Sequence, residues 1–334
     1  DYINLDSRIR GLHILSNCLN SGLVTLDISR FPSLKTLQID SNSCRSVEVL
    51  LVQDEEKLQT IKVGEDSFTQ CDREKNTPDS KENESIIKQM KKKMVVKNNS
   101  VLNSIVIEKG AFSDYSRLFL KMAEIAPFYG IDLPSLKELL IGEVNEGESD
   151  REGTWSFYYA KQLTLSSLPS LEIVIIGNHA FNRFYGTTSF ACERRVWLMT
   201  QDLPRLFSIQ LGSHAFEGLS GSALKLLNCE LLNTVEVGTD VFSFVPTVTI
   251  ASRCSERVMQ HHRGLGIPNL QTMTLADASS FYNLETIERG KQVSDVLFNA
   301  LNQRRRSKPS TICLDSYGNV IVDGNGALAS CPEY

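Results

Sequence analysis

Read for its apolar positions, the chain repeats one short phrase: a leucine, two variable residues, an aliphatic, a variable residue, a second aliphatic and usually a glycine. It runs Leu34…Leu37-Gln-Ile39, Leu58…Ile61-Lys-Val63-Gly64, Leu102…Ile105-Val-Ile107 and Leu136…Leu139-Leu-Ile141-Gly142. It continues as Leu171…Val174-Ile-Ile176-Gly177, Leu206…Ile209-Gln-Leu211-Gly212 and Leu232…Val235-Glu-Val237-Gly238, and closes at Leu270…Met273-Thr-Leu275. Two aliphatics around one variable residue are the period-two signature of a strand with one buried face. Leucines 102, 136, 171 and 206 open units 34, 35 and 35 residues apart, and self-similarity at such a period predicts stacked coils of a solenoid.

Flanking residues fix the register. An apolar-Pro step precedes the phrase at Phe31-Pro32, Leu133-Pro134, Leu168-Pro169, Leu203-Pro204 and Ile267-Pro268, which takes half of the ten prolines. Proline cannot donate to a sheet ladder, so it predicts a corner before each strand. The glycine predicts a sharp turn as the chain leaves the strand. A phenylalanine four residues beyond it, at Phe68, Phe181, Phe216 and Phe242 with Phe112 equivalent, predicts an aromatic column stacked from coil to coil. A second, weaker strand is expected before the corner at Leu26-Asp-Ile28, Leu163-Thr-Leu165 and Leu224-Lys-Leu226.

These residues resemble irregular leucine-rich repeats, especially the BspA-like type, across about residues 23 to 287. The nearest copies are Leu168-Pro-Ser-Leu-Glu-Ile-Val-Ile-Ile-Gly-Asn-His-Ala-Phe181 and Leu203-Pro-Arg-Leu-Phe-Ser-Ile-Gln-Leu-Gly-Ser-His-Ala-Phe216. The asparagine usual after the strand is largely replaced: Asn178 approaches it, while Glu65, Glu143, Ser213 and Thr239 stand elsewhere. The resemblance implies a β-rich α/β fold, a right-handed solenoid with a parallel sheet and irregular connectors. It also implies ligand or protein recognition on the sheet face, with no catalytic residues to transfer.

Two regions leave the rhythm. Residues 69–98 carry a charged, weakly hydrophobic run, including Lys88, Lys91, Lys92, Lys93 and Lys97, and read as an exposed, mobile insertion. After Ile287, Val293, Val296, Leu297, Ala300 and Leu301 keep helical spacing, with Arg304-Arg-Arg306 suiting the helix C-terminus. Residues 312–322 alternate around Tyr317-Gly-Asn319 like a hairpin. The expected organisation is a solenoid over 1–290 and a capping helix and hairpin over 291–334.

Charge and chemistry narrow the function. A net charge of −5 argues against nucleic acid, and no stretch reaches the roughly 18 apolar residues of a membrane-spanning helix. The start at Asp1 rather than Met reads as a trimmed product, and compartment stays open between cell surface and cytoplasm. The eight cysteines form no Cys-x-x-Cys pair, so they read as buried thiols, with Cys313–Cys331 as the one candidate disulfide. The Val320–Ala329 glycine stretch has only five residues after it and no room for a dinucleotide-binding unit. Gly218-Leu-Ser220-Gly-Ser222 misses a nucleophile elbow by its last residue. His179 and His214 share one repeat position, a polar turn in which Asp66 and Asp240 also fall, with a metal pair as the alternative.

No enzyme, cofactor or metal is expected. The outward column of the strands reads Gln38, Lys62, Val106, Leu140, Ile175, Gln210, Glu236 and Thr274, and its apolar middle, with Ile173 and Phe207 beside it, is the candidate partner site. That site is Val106, Leu140, Ile173, Ile175 and Phe207. Either it is open to a protein or glycan partner, or the segments 113–131 or 143–160 fold over it and make it core. The expected function is a non-catalytic recognition module; the alternative is a structural or adhesive segment of a larger repeat protein.

Overall fold

The computed structural model describes residues 6–70, 92–115, 117–119, 133–144, 155–158, 160, 162–182, 197–217, 223–243, 247–251, 270–276, 280–282, 284–289, 294–302 and 310–313. All eight repeat phrases end in strands of one parallel sheet: β3 (Thr36–Ile39), β5 (Thr60–Val63), β7 (Ser104–Ile107), β9 (Glu138–Ile141), β11 (Ile173–Ile176), β13 (Ser208–Leu211), β15 (Thr234–Val237) and β17 (Thr272–Leu275). A ninth, β1 (Gly11–Ile14), pairs with β3 at the edge; it was hidden because it has neither the corner proline nor the exit glycine. Within each strand the burial alternates as the pattern demands: Leu37 and Ile39, Ile105 and Ile107, Val174 and Ile176 are buried, and their neighbours face out.

The weaker strands form two further parallel sheets. One holds β2 (Thr25–Asp27), β4 (Val49–Gln53), β6 (Lys93–Lys97) and β8 (Arg117–Phe119). The other holds β10 (Gln162–Ser166), β12 (Trp197–Gln201), β14 (Ala223–Leu227), β16 (Thr247–Ala251), β18 (Thr286–Arg289) and β19 (Ser310–Cys313). Three of these ten were expected. The others share no common phrase: β4 reads Val-Leu-Leu-Val-Gln and β12 Trp-Leu-Met-Thr-Gln, with no clean alternation to betray an inner face.

Between first-sheet and second-sheet strands the chain makes one stereotyped turn, and here lies the interior. Its phenylalanines stack in a continuous column from Phe68 through Phe112, Phe157, Phe181, Phe216 and Phe242 to Phe281, with centroids 4.5 to 5.6 Å apart. Each has φ between 50° and 59°, a left-handed conformation that a bulky side chain normally avoids. Complete burial of every ring offsets that strain. Two residues earlier a second left-handed position holds Asp66, Gly110, Trp155, His179, His214 and Asp240, mostly residues that tolerate it or stack.

Among the exit glycines Gly142, at φ 76°, takes the left-handed turn that the sequence predicts, and the other four have a different role. Gly64, Gly177, Gly212 and Gly238 are not left-handed; a Cβ there would instead collide with the backbone of the preceding coil. At Gly238 it would lie 2.5 Å from the Ser213 nitrogen and 2.8 Å from Ser213 Cα. At these four positions close coil-to-coil approach, not a turn dihedral, fixes the residue type.

The insertion expected over 69–98 is shorter at its far end than its charge suggests. Lys92 is fully buried and residues 93–97 form β6, paired with both β4 and β8. Residues 71–91, including Lys88 and Lys91, lie outside the described residues. The expected helix is present as α1 (Asp295–Asn302), with Leu297 and Leu301 buried. Ser294 opens it, its hydroxyl accepting from the Val296 N–H at 3.2 Å and donating to the Leu270 carbonyl at 2.7 Å beside β17. The first arm of the expected hairpin, β19, instead pairs parallel with β18; residues 314–334, and Cys331 with them, are outside the described set.

Candidate functional site

The outward row of the nine-stranded sheet reads His13, Gln38, Lys62, Val106, Leu140, Ile175, Gln210, Glu236 and Thr274, each the registered neighbour of the next. Val106, Leu140 and Ile175 therefore stand side by side across about 10 Å of sheet, at the spacing of parallel strands. Ile173 lies on the same face, opposite Glu138 on one side and Ser208 on the other. All four are half-buried. Of the segments 113–131 and 143–160, expected either to fold over this face or to leave it open, residues 120–131 and 145–154 lie outside the described residues, while 117–119 form β8 of another sheet and Phe157 joins the aromatic column.

Phe207 is placed elsewhere. It sits one residue before β13, on the corner ledge, where its N–H donates to the Glu172 carbonyl at 2.8 Å and its own carbonyl accepts from Asn233. Its ring is 52% exposed, which makes it the most exposed aromatic among the described residues and an edge to the apolar stripe rather than a member of it.

Charged residues bound the stripe on the β1 side. His13 Nε2 lies 2.9 Å from Asp40 Oδ2, and Gln38 donates to the other oxygen at 3.1 Å. The His13 hydrogen bond, with that of Gln38, holds the Asp40 carboxyl below its ordinary value. Lys62 pairs with Glu108 at 3.0 Å. Beyond Ile175 the row turns polar again through Gln210 and Glu236. The result is an apolar centre bounded on both sides by polar and charged side chains.

The histidine pair is a packing device. His179 and His214 stack at 4.5 Å and 11°, and Trp155 stacks on His179 at 4.4 Å. Stacked imidazoles hold their lone pairs in parallel planes instead of converging on one ion. His214 Nδ1 lies 2.9 Å from Glu217, whose carboxyl is pushed up by burial and drawn back by His214. Among the described residues no group of three or more His, Cys, Asp or Glu side chains is placed to hold a metal ion. His261 and His262, and the Gly218–Ser222 and Val320–Ala329 stretches, lie outside them.

Two buried acids carried no sequence signal. Asp114 accepts from Lys92 Nζ at 2.7 Å and from the Gln70 N–H at 3.1 Å, in a pocket closed by Tyr115, whose hydroxyl donates to the Val47 carbonyl. Glu55 is wholly buried with both carboxyl oxygens unbonded, and burial, aided by Asp27 and Asp54, raises it to about 7. Cys44 and Cys229 are buried, free and raised to about 12 by burial, so they pack as small hydrophobes; Cys18 is exposed. No helix of the described residues is long and apolar enough to cross a membrane.

Comparison with protein-family models, with curated proteins and with solved structures finds no match.

Proposed function

We propose that this chain is a non-catalytic recognition module that binds a protein partner through the outward face of its nine-stranded sheet, with a glycan as the alternative ligand. The observation that carries the reading is the registered run Val106–Leu140–Ile175, joined by Ile173, in an outward row otherwise filled by polar side chains. Solvent alone gives no reason for aliphatics there, whereas a partner that covers them does. Phe207 contributes an exposed aromatic at the rim. The architecture on this reading is an irregular leucine-rich repeat of the BspA-like type, right-handed, with α1 and β19 beginning a C-terminal cap. No cofactor, metal or nucleic acid enters the reading.

A purified partner is required to test it. Ile175→Asp and Phe207→Asp should each weaken that partner's binding roughly tenfold or more while the melting temperature holds. Unfolding by Ile175→Asp would assign the stripe to the core, and unchanged affinity in both variants would place the interface elsewhere. One observation favours the structural alternative: β1 has a hydrogen-bonded neighbour on one side only among the described strands, an edge on which a further coil would stack. Concentration-dependent assembly in sedimentation would support that alternative.

A further inference from the structure

A groove of roughly 480 Å³ opens on the corner ledge near β1, lined by Arg10, Ser33, Lys35, Lys57, Gln59 and Val101 together with one acid, Glu56. The backbone ladder sets its geometry: the Lys35 N–H donates to the Arg10 carbonyl, Gln59 to Lys35 and Asn103 to Gln59. Arg10, Lys35 and Gln59 thus stack on three successive coils, each one residue before its strand. Ser33 and Lys57 lie two residues further back, and Val101 extends the same wall to the coil of β7. Four coils at parallel-strand spacing span about 14 Å, the length of roughly four residues of extended chain.

Its charge is unbalanced. Arg10, Lys35 and Lys57 are exposed and make no ion pair with any carboxylate of the described residues, although the chain as a whole carries −5. The contrast within the ledge is direct: Arg205, at the position equivalent to Lys57, is neutralised by Glu172 at 3.2 Å. Three cations against one acid leave a local excess of two positive charges, held on rigid strand-ends instead of on a free loop.

We propose that this groove takes an acidic segment of a polypeptide, about four residues in extended form, with two or more carboxylates facing Arg10, Lys35 and Lys57 and an apolar side chain against Val101. Ser33 and Gln59 supply hydrogen bonds to its backbone. A nucleic acid or an aromatic-stacked sugar fits less well, because the lining holds no aromatic ring on which a base or a pyranose face would rest. The inference rests on the proposed function only in taking the partner to be a protein. The groove adjoins the coil that carries Val106, so one partner reaches both.

The test uses the full chain and a fluorescent octaglutamate peptide, followed by anisotropy. Binding should weaken as salt is raised from 0.05 to about 0.5 M, because exposed charge pairs are screened over a few ångströms at high ionic strength. The triple change Arg10→Glu, Lys35→Glu and Lys57→Glu should weaken it roughly tenfold or more with an unchanged circular dichroism spectrum, and Glu56→Gln should tighten it. Ile175→Asp should leave peptide binding intact, which separates failure of the groove from failure of the sheet-face site. Should the triple variant not fold, Lys57→Glu alone serves as the probe. Equal binding by octaglutamine, or affinity unaffected by charge reversal, overturns the proposal. Tighter binding of a heparin oligosaccharide than of octaglutamate through the same three residues overturns the polypeptide assignment.

Discussion

Replacing Gly238 by alanine tests why a glycine follows β5, β11, β13 and β15. The added Cβ would sit 2.5 Å from the Ser213 nitrogen and 2.8 Å from both Ser213 Cα and the Gly212 carbonyl carbon, all of them backbone atoms of the preceding coil. Ordinary contact begins near 3.4 Å, so the two coils must part by somewhat under 1 Å at this point. No rotamer relieves the clash. The movement strains the Gly238 N–H to Leu211 carbonyl bond, 2.8 Å long, and the Thr239 N–H to Ser213 Oγ bond, 3.2 Å long, and it loosens the Phe216–Phe242 stack four residues on. Overpacking of about 1–3 kcal/mol and a weakened hydrogen bond of about 1 kcal/mol oppose an unfolded-state gain of about 0.5 kcal/mol from losing a glycine. The expected net loss is about 1.5–3.5 kcal/mol.

Gly11 provides the control. A Cβ there meets only the Thr36 hydroxyl at 3.2 Å, the movable end of an exposed side chain. Gly11→Ala should therefore be neutral or stabilising by up to about 0.5 kcal/mol. Urea titrations of the two variants, followed by far-ultraviolet circular dichroism, compare them directly. If Gly238→Ala costs less than about 0.5 kcal/mol, or no more than Gly11→Ala, close coil packing is not the reason for the glycine. A turn dihedral would not rescue the argument, since Gly238 lies outside the left-handed region that alanine resists.

Two buried acids give two further predictions. Glu55 is raised to about 7 against an ordinary 4.5, so the folded protein holds its proton more tightly than the unfolded chain does. Its favourable neutral state is fully present below about pH 4.5, and stability is lost as pH rises through 7, up to about 3 kcal/mol for this group. Glu55→Gln should flatten that slope and raise the melting temperature at pH 8 but not at pH 4.5; an equal effect at both would remove the group from the account. At the second site, Lys92→Met strands Asp114 in a closed pocket and should cost about 3–5 kcal/mol, whereas Lys92→Met with Asp114→Leu should recover most of it. A double variant as unstable as the single one, in the same urea assay, would mean that the lysine acts through packing and not through its charge.

The nine-stranded sheet was legible because the same four positions face the same neighbours in every coil. A buried aliphatic pair and a stacking phenylalanine are each selected by contacts with their own copies above and below, and the proline by the corner it makes, so they recur in sequence as they do in space. Phe157 and Phe281 join the column without the expected spacing, since Phe157 lies fifteen residues beyond Gly142 and the phrase before Phe281 lacks its glycine, yet both take the same left-handed backbone. The other two sheets were mostly illegible. Their strands touch partners that vary from coil to coil, and β6 was disguised by Lys93 and Lys97 at its ends. Lys92 looked like one more solvated lysine because its partner, Asp114, is 22 residues away and belongs to no motif.

The candidate surface obeys a different logic, and this explains why the register of its apolar row could be read from the sequence. Val106, Leu140 and Ile175 were found by counting, because outward residues of a parallel sheet inherit the register of the inward ones. What outward residues do is not constrained by the coil, so each deviation from polar is informative where it occurs. The ledge before the strands inherits the same register through its own hydrogen-bond ladder, from Arg10 and Lys35 through Lys137 and Glu172 to Phe207. Along it the character changes from unpaired cations at one end to an exposed aromatic at the other. A partner lying along the solenoid axis would therefore meet charge first and apolar surface later. Swapping the side chains of Lys35 and Phe207 should abolish such binding while leaving the fold intact, since both side chains are exposed and neither belongs to the buried column.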